Sequence, residues 1–120
     1  MAARRTPADL TVLIQQASTA SGVSVFGSAN SFADWLDVNR SQVTRGQRGQ
    51  RMRGQPAWRA TGLAAVVAAL LLFLEPEVIA DWLQGTNAHL NHQRPLDLLR
   101  DGHVAAVMAA VEAERAGSYA

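Results

Sequence analysis

Apolar residues recur at helical spacing along most of the chain, and in one stretch they become continuous. The run from Gly62 to Leu74 has no polar side chain and lies between Arg59 and Glu75-Pro76-Glu77. A helical membrane span needs roughly 17–25 apolar residues, and this run is shorter. It reads as a buried core helix, apolar all round and in need of partners on several sides. Upstream, Leu10, Leu13, Ile14 and Ala17 follow i, i+3, i+4, i+7 and give a first helix one apolar face. Thr6 is its expected N-cap, with Pro7 at the first helical position and Asp9 in the first turn. It is expected to end near Ser21-Gly22, with Val23-Ser24-Val25-Phe26 as a connector.

Ser28 to Ser31 offers capping residues before a short helix from Phe32 to about Asp37. A second short helix starts almost at once, because Asn39-Arg40-Ser41-Gln42 has the form of a capping box. The pair has apolar Phe32, Leu36, Val38 and Val43, with small Ala33 where the helices would cross. This is the helix-turn-helix arrangement. Glycines at 46, 49 and 54 each cost about 1 kcal/mol inside a helix, so the second helix should stop by Gly49. Arg48 to Pro56 then reads as a basic loop before a long helix from about Ala57 to Leu74.

Pro76 starts a further helix whose apolar side is Val78, Ile79, Trp82 and Leu83, ending at Gly85. Thr86 to Gln93 is polar and loop-like. Pro95 opens a short helix through Leu96, Leu98 and Leu99, closed by Gly102. Val104, Val107, Met108 and Val111 mark the last helix, and Ala116 to Ala120 reads as a non-helical tail. The expectation is all-α, with six or seven helices and no sheet. It divides into a helix-turn-helix region at 1–56, a central apolar helix at 57–74 and a small helical lobe at 75–120.

A chain of 120 residues with 48% hydrophobic residues supports one compact core or two small halves. It has no cysteine, hence no disulfide framework and no thiolate chemistry. Met1-Ala2-Ala3-Arg4-Arg5 leads into Thr6-Pro7 and not into the apolar segment of a secretory signal, so the chain reads as cytoplasmic. The net charge of +1 hides a segregation. All 11 basic residues are Arg, and six lie between Arg40 and Arg59 with no acid among them. From Glu75 onward seven acids face three arginines, so the first half suits an anionic partner and the second does not.

Catalytic chemistry finds little support. His89 and His92 are spaced i, i+3 in a polar loop with no third ligand at a motif spacing, and they read as solvated. Glu75 and Glu77 flank a helix start, where the dipole accounts for them. There is no nucleophile motif and no phosphate-cradling glycine loop. We therefore expect no enzyme, metal or cofactor. Nucleic-acid binding is better supported, since aligning Ala33 with the motif's small residue exposes Asn39, Arg40, Ser41, Thr44, Arg45 and Arg48. Arg and Asn can pair bidentately with guanine and adenine, whereas Ser and Thr more often take phosphates. Arg51, Arg53 and Arg59 are expected to meet phosphates only. Gly46 stands where the motif usually has a large apolar residue. Either Trp58 fills that gap or the motif is degenerate.

Trp82-Leu83, Asn87 with Leu90, Arg94-Pro95-Leu96-Asp97-Leu98-Leu99, Asp101-Gly102 and Val107 resemble the C-terminal toxin-binding domain of the Xre/MbcA/ParS antitoxins. Asn39 to Arg45 is similar to the recognition-helix segment of that family's N-terminal half. The resemblance implies the antitoxin of a type II toxin–antitoxin pair. Its partner would be a RES-domain toxin that consumes NAD, and the end of the antitoxin chain would lie at or near the toxin's cleft. It further implies a homodimer that binds operator DNA and represses its own operon. Core packing accounts for Trp82, Leu96, Leu98, Leu99 and Val107. The toxin-facing candidates are the polar residues it does not need: Asn87, Arg94, Arg100, Arg115 and Tyr119. The alternative is a free-standing helix-turn-helix transcription regulator without a toxin partner.

Overall fold

In the computed structural model, which describes residues 7–117, the first helix α1 runs Pro7–Phe26. The expected Thr6 cap lies outside the described residues, as do Ser118 and Tyr119. Gly22 does not stop α1. A Cβ there would overlap the Phe32 ring, so glycine at this position lets an aromatic side chain lie directly on the helix backbone. Val23-Ser24-Val25-Phe26 is thus the last turn of α1, not a connector. The helix stops at Gly27, whose φ of 81° suits glycine and whose N–H donates to the Val23 carbonyl at 2.8 Å.

Helix α2 spans Ala29–Leu36 and α3 spans Arg40–Gln47. Ser28 caps α2, its Oγ accepting the Ser31 N–H at 3.1 Å. Asp37 closes α2 in the left-handed region, and the Val38 N–H reaches back to the Ala33 carbonyl at 3.0 Å. The expected capping box is present, with the Asn39 N–H donating to Gln42 Oε1 at 3.4 Å. Helices α1, α2 and α3 pack pairwise on one another. Phe26, Phe32 and Trp35 form an aromatic cluster at their join, with ring centroids 5.5–6.3 Å apart.

The apolar face expected on α1 is not the buried one. Ser18, Thr19 and Gly22 are buried, while Leu10, Leu13, Ile14 and Ala17 are exposed. Thr19 is satisfied within α1, its Oγ1 donating to the Gln15 carbonyl at 2.7 Å and accepting from Gln15 Nε2 at 3.0 Å. A threonine can therefore sit fully enclosed there.

Helix α4 runs Gly54–Leu71, starting one turn before the expected Ala57 and ending one turn before Leu74. The chain forms two compact units that divide within it, Met1–Thr61 and Gly62–Ala120. Burial on α4 follows one stripe, through Ala60, Leu63, Val66, Val67 and Leu70. The run is not enclosed on all sides, because Ala65 and Ala68 occupy the opposite face and small side chains leave little apolar area in water. Leu72, beyond the last turn, is 83% exposed.

Pro76–Gln84 forms α5, with Glu75 as N-cap and Pro76 in the first turn. The expected loop from Thr86 to Gln93 contains a single 3-10 turn at Ala88–Leu90 and an isolated bridge between Asn87 and Gln93. Pro95–Arg100 forms α6 and Val104–Gly117 forms α7. Ala116 and Gly117 thus belong to α7 and not to a tail. Helix α5 packs on α6, and α7 packs on α6 and on the 3-10 turn. Ile79, Leu83, Leu90, Leu96, Leu99, Val107 and Val111 are buried. Gly62 on α4 meets Val104 on α7, where a Cβ would lie 2.8 Å from Val104 Cγ2. The architecture is all-α, with seven α-helices and no strand among the described residues.

Candidate nucleic-acid and partner-binding surfaces

Helix α3 carries the arginine-rich face. Val43 and Gly46 are buried beneath it, leaving Asn39, Arg40, Ser41, Arg45 and Arg48 exposed and Thr44 half-buried. All six candidates from the sequence therefore lie on the outer side of one short helix and its ends. Thr44 is partly engaged, its hydroxyl donating to the Ser41 carbonyl at 3.0 Å. Among the described residues no salt bridge joins Arg40, Arg45, Arg48, Arg51 or Arg53 to an acid. The face keeps its positive charge, which is the condition for phosphate attraction.

Gly46 is explained by its neighbours. A Cβ there would lie 2.8 Å from Thr19 Oγ1 and 3.1 Å from Met52 Cε, so α3 sits close against α1 and the Met52 side chain fills the space beside it. Trp58, the residue expected to fill that gap, is exposed with the Arg59 guanidinium over its ring at 5.4 Å. Met52 is buried although it lies in the stretch expected to be a basic loop. The loop is fastened instead, the Met52 N–H donating to Gln15 Oε1 at 3.1 Å. This places Arg51 and Arg53 beside Arg45 around an open groove of about 260 Å³, also lined by Gln42 and Gln50. Arg59 differs from them. Its Nη1 donates to the Leu36 carbonyl at 3.1 Å, meeting an acceptor that the end of α2 leaves open.

In the second unit the candidate residues are more tightly committed. Asn87 is half-buried and builds its loop: its Oδ1 accepts from the His89 N–H at 2.9 Å, and its carbonyl accepts from Leu90 and His92, both at 2.9 Å. Asn91 and His92, both at positive φ, are held by this lattice. Arg94 donates through Nε and Nη2 to Asp97 Oδ2 and Oδ1 at 3.0 and 2.9 Å. These hydrogen bonds hold the Asp97 carboxyl below its ordinary range; partial burial opposes them, and the charges of Arg94 and Arg100 assist. Arg115 donates twice to Glu112 Oε2, at 3.1 and 2.7 Å, and lowers that carboxyl in the same way. Both pairs are about half-exposed, so a partner can still reach the remaining guanidinium N–H groups. Arg100 is exposed at the end of α6, and Tyr119 lies outside the described residues.

Other chemistry is sparse. Among the described residues, no three His, Cys, Asp or Glu side chains converge as a metal site, and no helix is long and apolar enough to cross a membrane. His92 and His103 line a polar cleft with Arg94, Asp97 and Asp101. Leu71 and Leu72, expected inside a buried run, and Val78, expected on the apolar side of α5, are exposed.

Residues 68–117 match the model of the antitoxin Xre/MbcA/ParS C-terminal toxin-binding domain. The match spans the Trp82-to-Val107 pattern. The whole fold is similar to a chain in the crystal structure of the M. tuberculosis MbcT–MbcA toxin–antitoxin complex. The two are 26% identical with a TM-score of 0.71, over 88% of this chain and 96% of that one. No curated protein sequence matches.

Proposed function

We propose that the protein is the antitoxin of a type II toxin–antitoxin system, neutralising a RES-type NAD-degrading toxin by covering its active-site cleft. The observation that carries this reading is the match of residues 68–117 to a toxin-binding domain, within a fold shared almost end to end with a chain of a toxin–antitoxin complex. The chain is no enzyme in this reading, and needs no cofactor. Residues 75–120 hold the toxin through Asn87, Arg94, Arg100, Arg115 and Tyr119. Residues 57–74 join that lobe to the helix-turn-helix region at 1–56. There, as a homodimer or in complex with toxin, Asn39, Arg40, Ser41, Thr44, Arg45 and Arg48 meet operator DNA and repress the operon. The uncompensated arginines of the α3 face support this second role.

Co-expression with the adjacent reading frame tests the proposal. The neighbour should be toxic alone, deplete NAD, and be silenced by this protein. A harmless neighbour, or one that this protein leaves active, defeats the antitoxin reading and favours the free-standing regulator. Truncation after Glu114 removes Arg115 and the chain end. It shortens α7 by its last three residues and should weaken neutralisation more than folding, and undiminished neutralisation would take the tail out of the mechanism.

A further inference from the structure

The loop that follows α3 is held by a helix outside the α2–α3 pair. Residues 50–53 lie between Gly49 and Gly54, whose φ values of 93° and 68° suit glycine, so contacts and not backbone stiffness must set where the loop sits. Those contacts come from α1. A Cβ on Gly49 would overlap Val12, and Gln15 Oε1 accepts the Met52 N–H at 3.1 Å. The Gln15 amide has a single satisfactory orientation. Its Nε2 donates to Thr19 Oγ1, whose own hydrogen is committed to the Gln15 carbonyl, and a backbone N–H can only donate, so Oε1 must face Met52. Thr19 is fully buried and Gln15 half-buried, which shields the arrangement from water.

The charge of the loop lies on either side of this pin. Arg51 and Arg53 are exposed, Met52 between them is buried, and both arginines line with Arg45 the groove of about 260 Å³ beside Gln42 and Gln50. Among the described residues no salt bridge joins any of the three to an acid. Three cations around one groove repel one another, and a loop free to move would carry two of them away. The Gln15 hydrogen bond keeps them together until an anion reverses the sign of the interaction. Guanidinium forks suit a phosphate in that place. Because Arg45 also belongs to the exposed face of α3, a phosphate held there lies beside the candidate base-facing residues.

We propose that Gln15 is a positioning residue for nucleic-acid binding: it acts through Met52 to hold Arg51 and Arg53 beside Arg45, and the groove they share seats a backbone phosphate. This rests on the DNA-binding part of the proposed function and adds to it a residue of α1. The test is the salt dependence of binding to a duplex of arbitrary sequence, since phosphate contacts carry no sequence information. Each contact contributes about 0.9 to the slope of log K against log salt, so Arg51→Ala, Arg53→Ala, which removes two exposed side chains, should lower the slope by about 2. Gln15→Met, similar in length but without the amide, should lower it by about 1 to 2 and speed hydrogen exchange at the Met52 amide. In the Arg51, Arg53 double variant, Gln15→Met should lower the slope no further. An unchanged slope in either variant, or a Gln15→Met effect that persists in the double variant, overturns the inference. So does Gln15-dependent binding of inorganic phosphate with no change in the DNA slope, which would assign the groove to a free anion. The two readings fail distinguishably. A wild type without affinity for the duplex at low salt takes down the DNA reading and this inference together, whereas a wild type that binds steeply and is indifferent to Gln15→Met takes down the inference alone.

Discussion

The two units of this protein enclose their interiors by different means. In the first, α1 contributes Ser18, Thr19 and Gly22 to the buried side, and α3 contributes Val43 and Gly46. Close backbone approach and an aromatic cluster do there what large aliphatic side chains do elsewhere. In the second, Leu83, Leu90, Leu96, Leu99, Val107 and Val111 form a conventional apolar core. Their charges differ as well. The arginines of α3 have no salt bridge among the described residues, whereas Arg94 and Arg115 are held by Asp97 and Glu112. The first core rests more on close backbone approach, and the second more on aliphatic area.

That contrast can be broken by substitution, starting with the largest effect. Leu83→Ala deletes a fully buried side chain and should cost about 2–5 kcal/mol in a denaturant titration. Gly22→Ala should destabilise by about 1–3 kcal/mol by overpacking against Phe32, although alanine gains about 1 kcal/mol in helix propensity. A stabilised Gly22→Ala protein would mean the Phe32 ring yields and the first core is not sterically set. Ser28→Ala should cost about 1 kcal/mol through loss of the α2 cap.

The smallest effect belongs to the exposed pairs. Asp97 has a carboxyl lowered by Arg94, so the pair's contribution exists above the ordinary carboxylate range and fades as pH falls through the lowered value. Arg94→Gln should therefore differ slightly from the parent near neutrality, with the two stability curves merging in acid. A difference that grows on acidification would contradict the assignment. Solvent screening keeps the effect small.

Much of the second unit was legible in the sequence, because its signals are local. Pro76, Pro95 and Gly102 mark helix ends by backbone chemistry alone, and Val107 with Val111 marks a buried stripe. The α2 and α3 helices were legible for the same reason, through Ser28, Asn39 and Gln42. What escaped depends on contacts distant in sequence. Gly22 looks like a stop until Phe32 is seen lying on it. Met52 looks like loop until it is found beside Gly46. The spacing of Leu10, Leu13 and Ile14 states that one face is apolar, but spacing cannot say whether that face turns toward the protein or away from it.

The account's central claim is that the two units carry separable functions, DNA contact on α3 and toxin capture in the C-terminal lobe. It is tested most directly by the double variant Arg40→Ala, Arg45→Ala, assayed in one preparation for operator binding and for silencing of the toxin. Operator selectivity should be lost, with a shallower salt dependence of the residual binding, while silencing stays at the parental level. A variant that loses both activities while remaining folded, or that keeps its operator selectivity, would contradict the account.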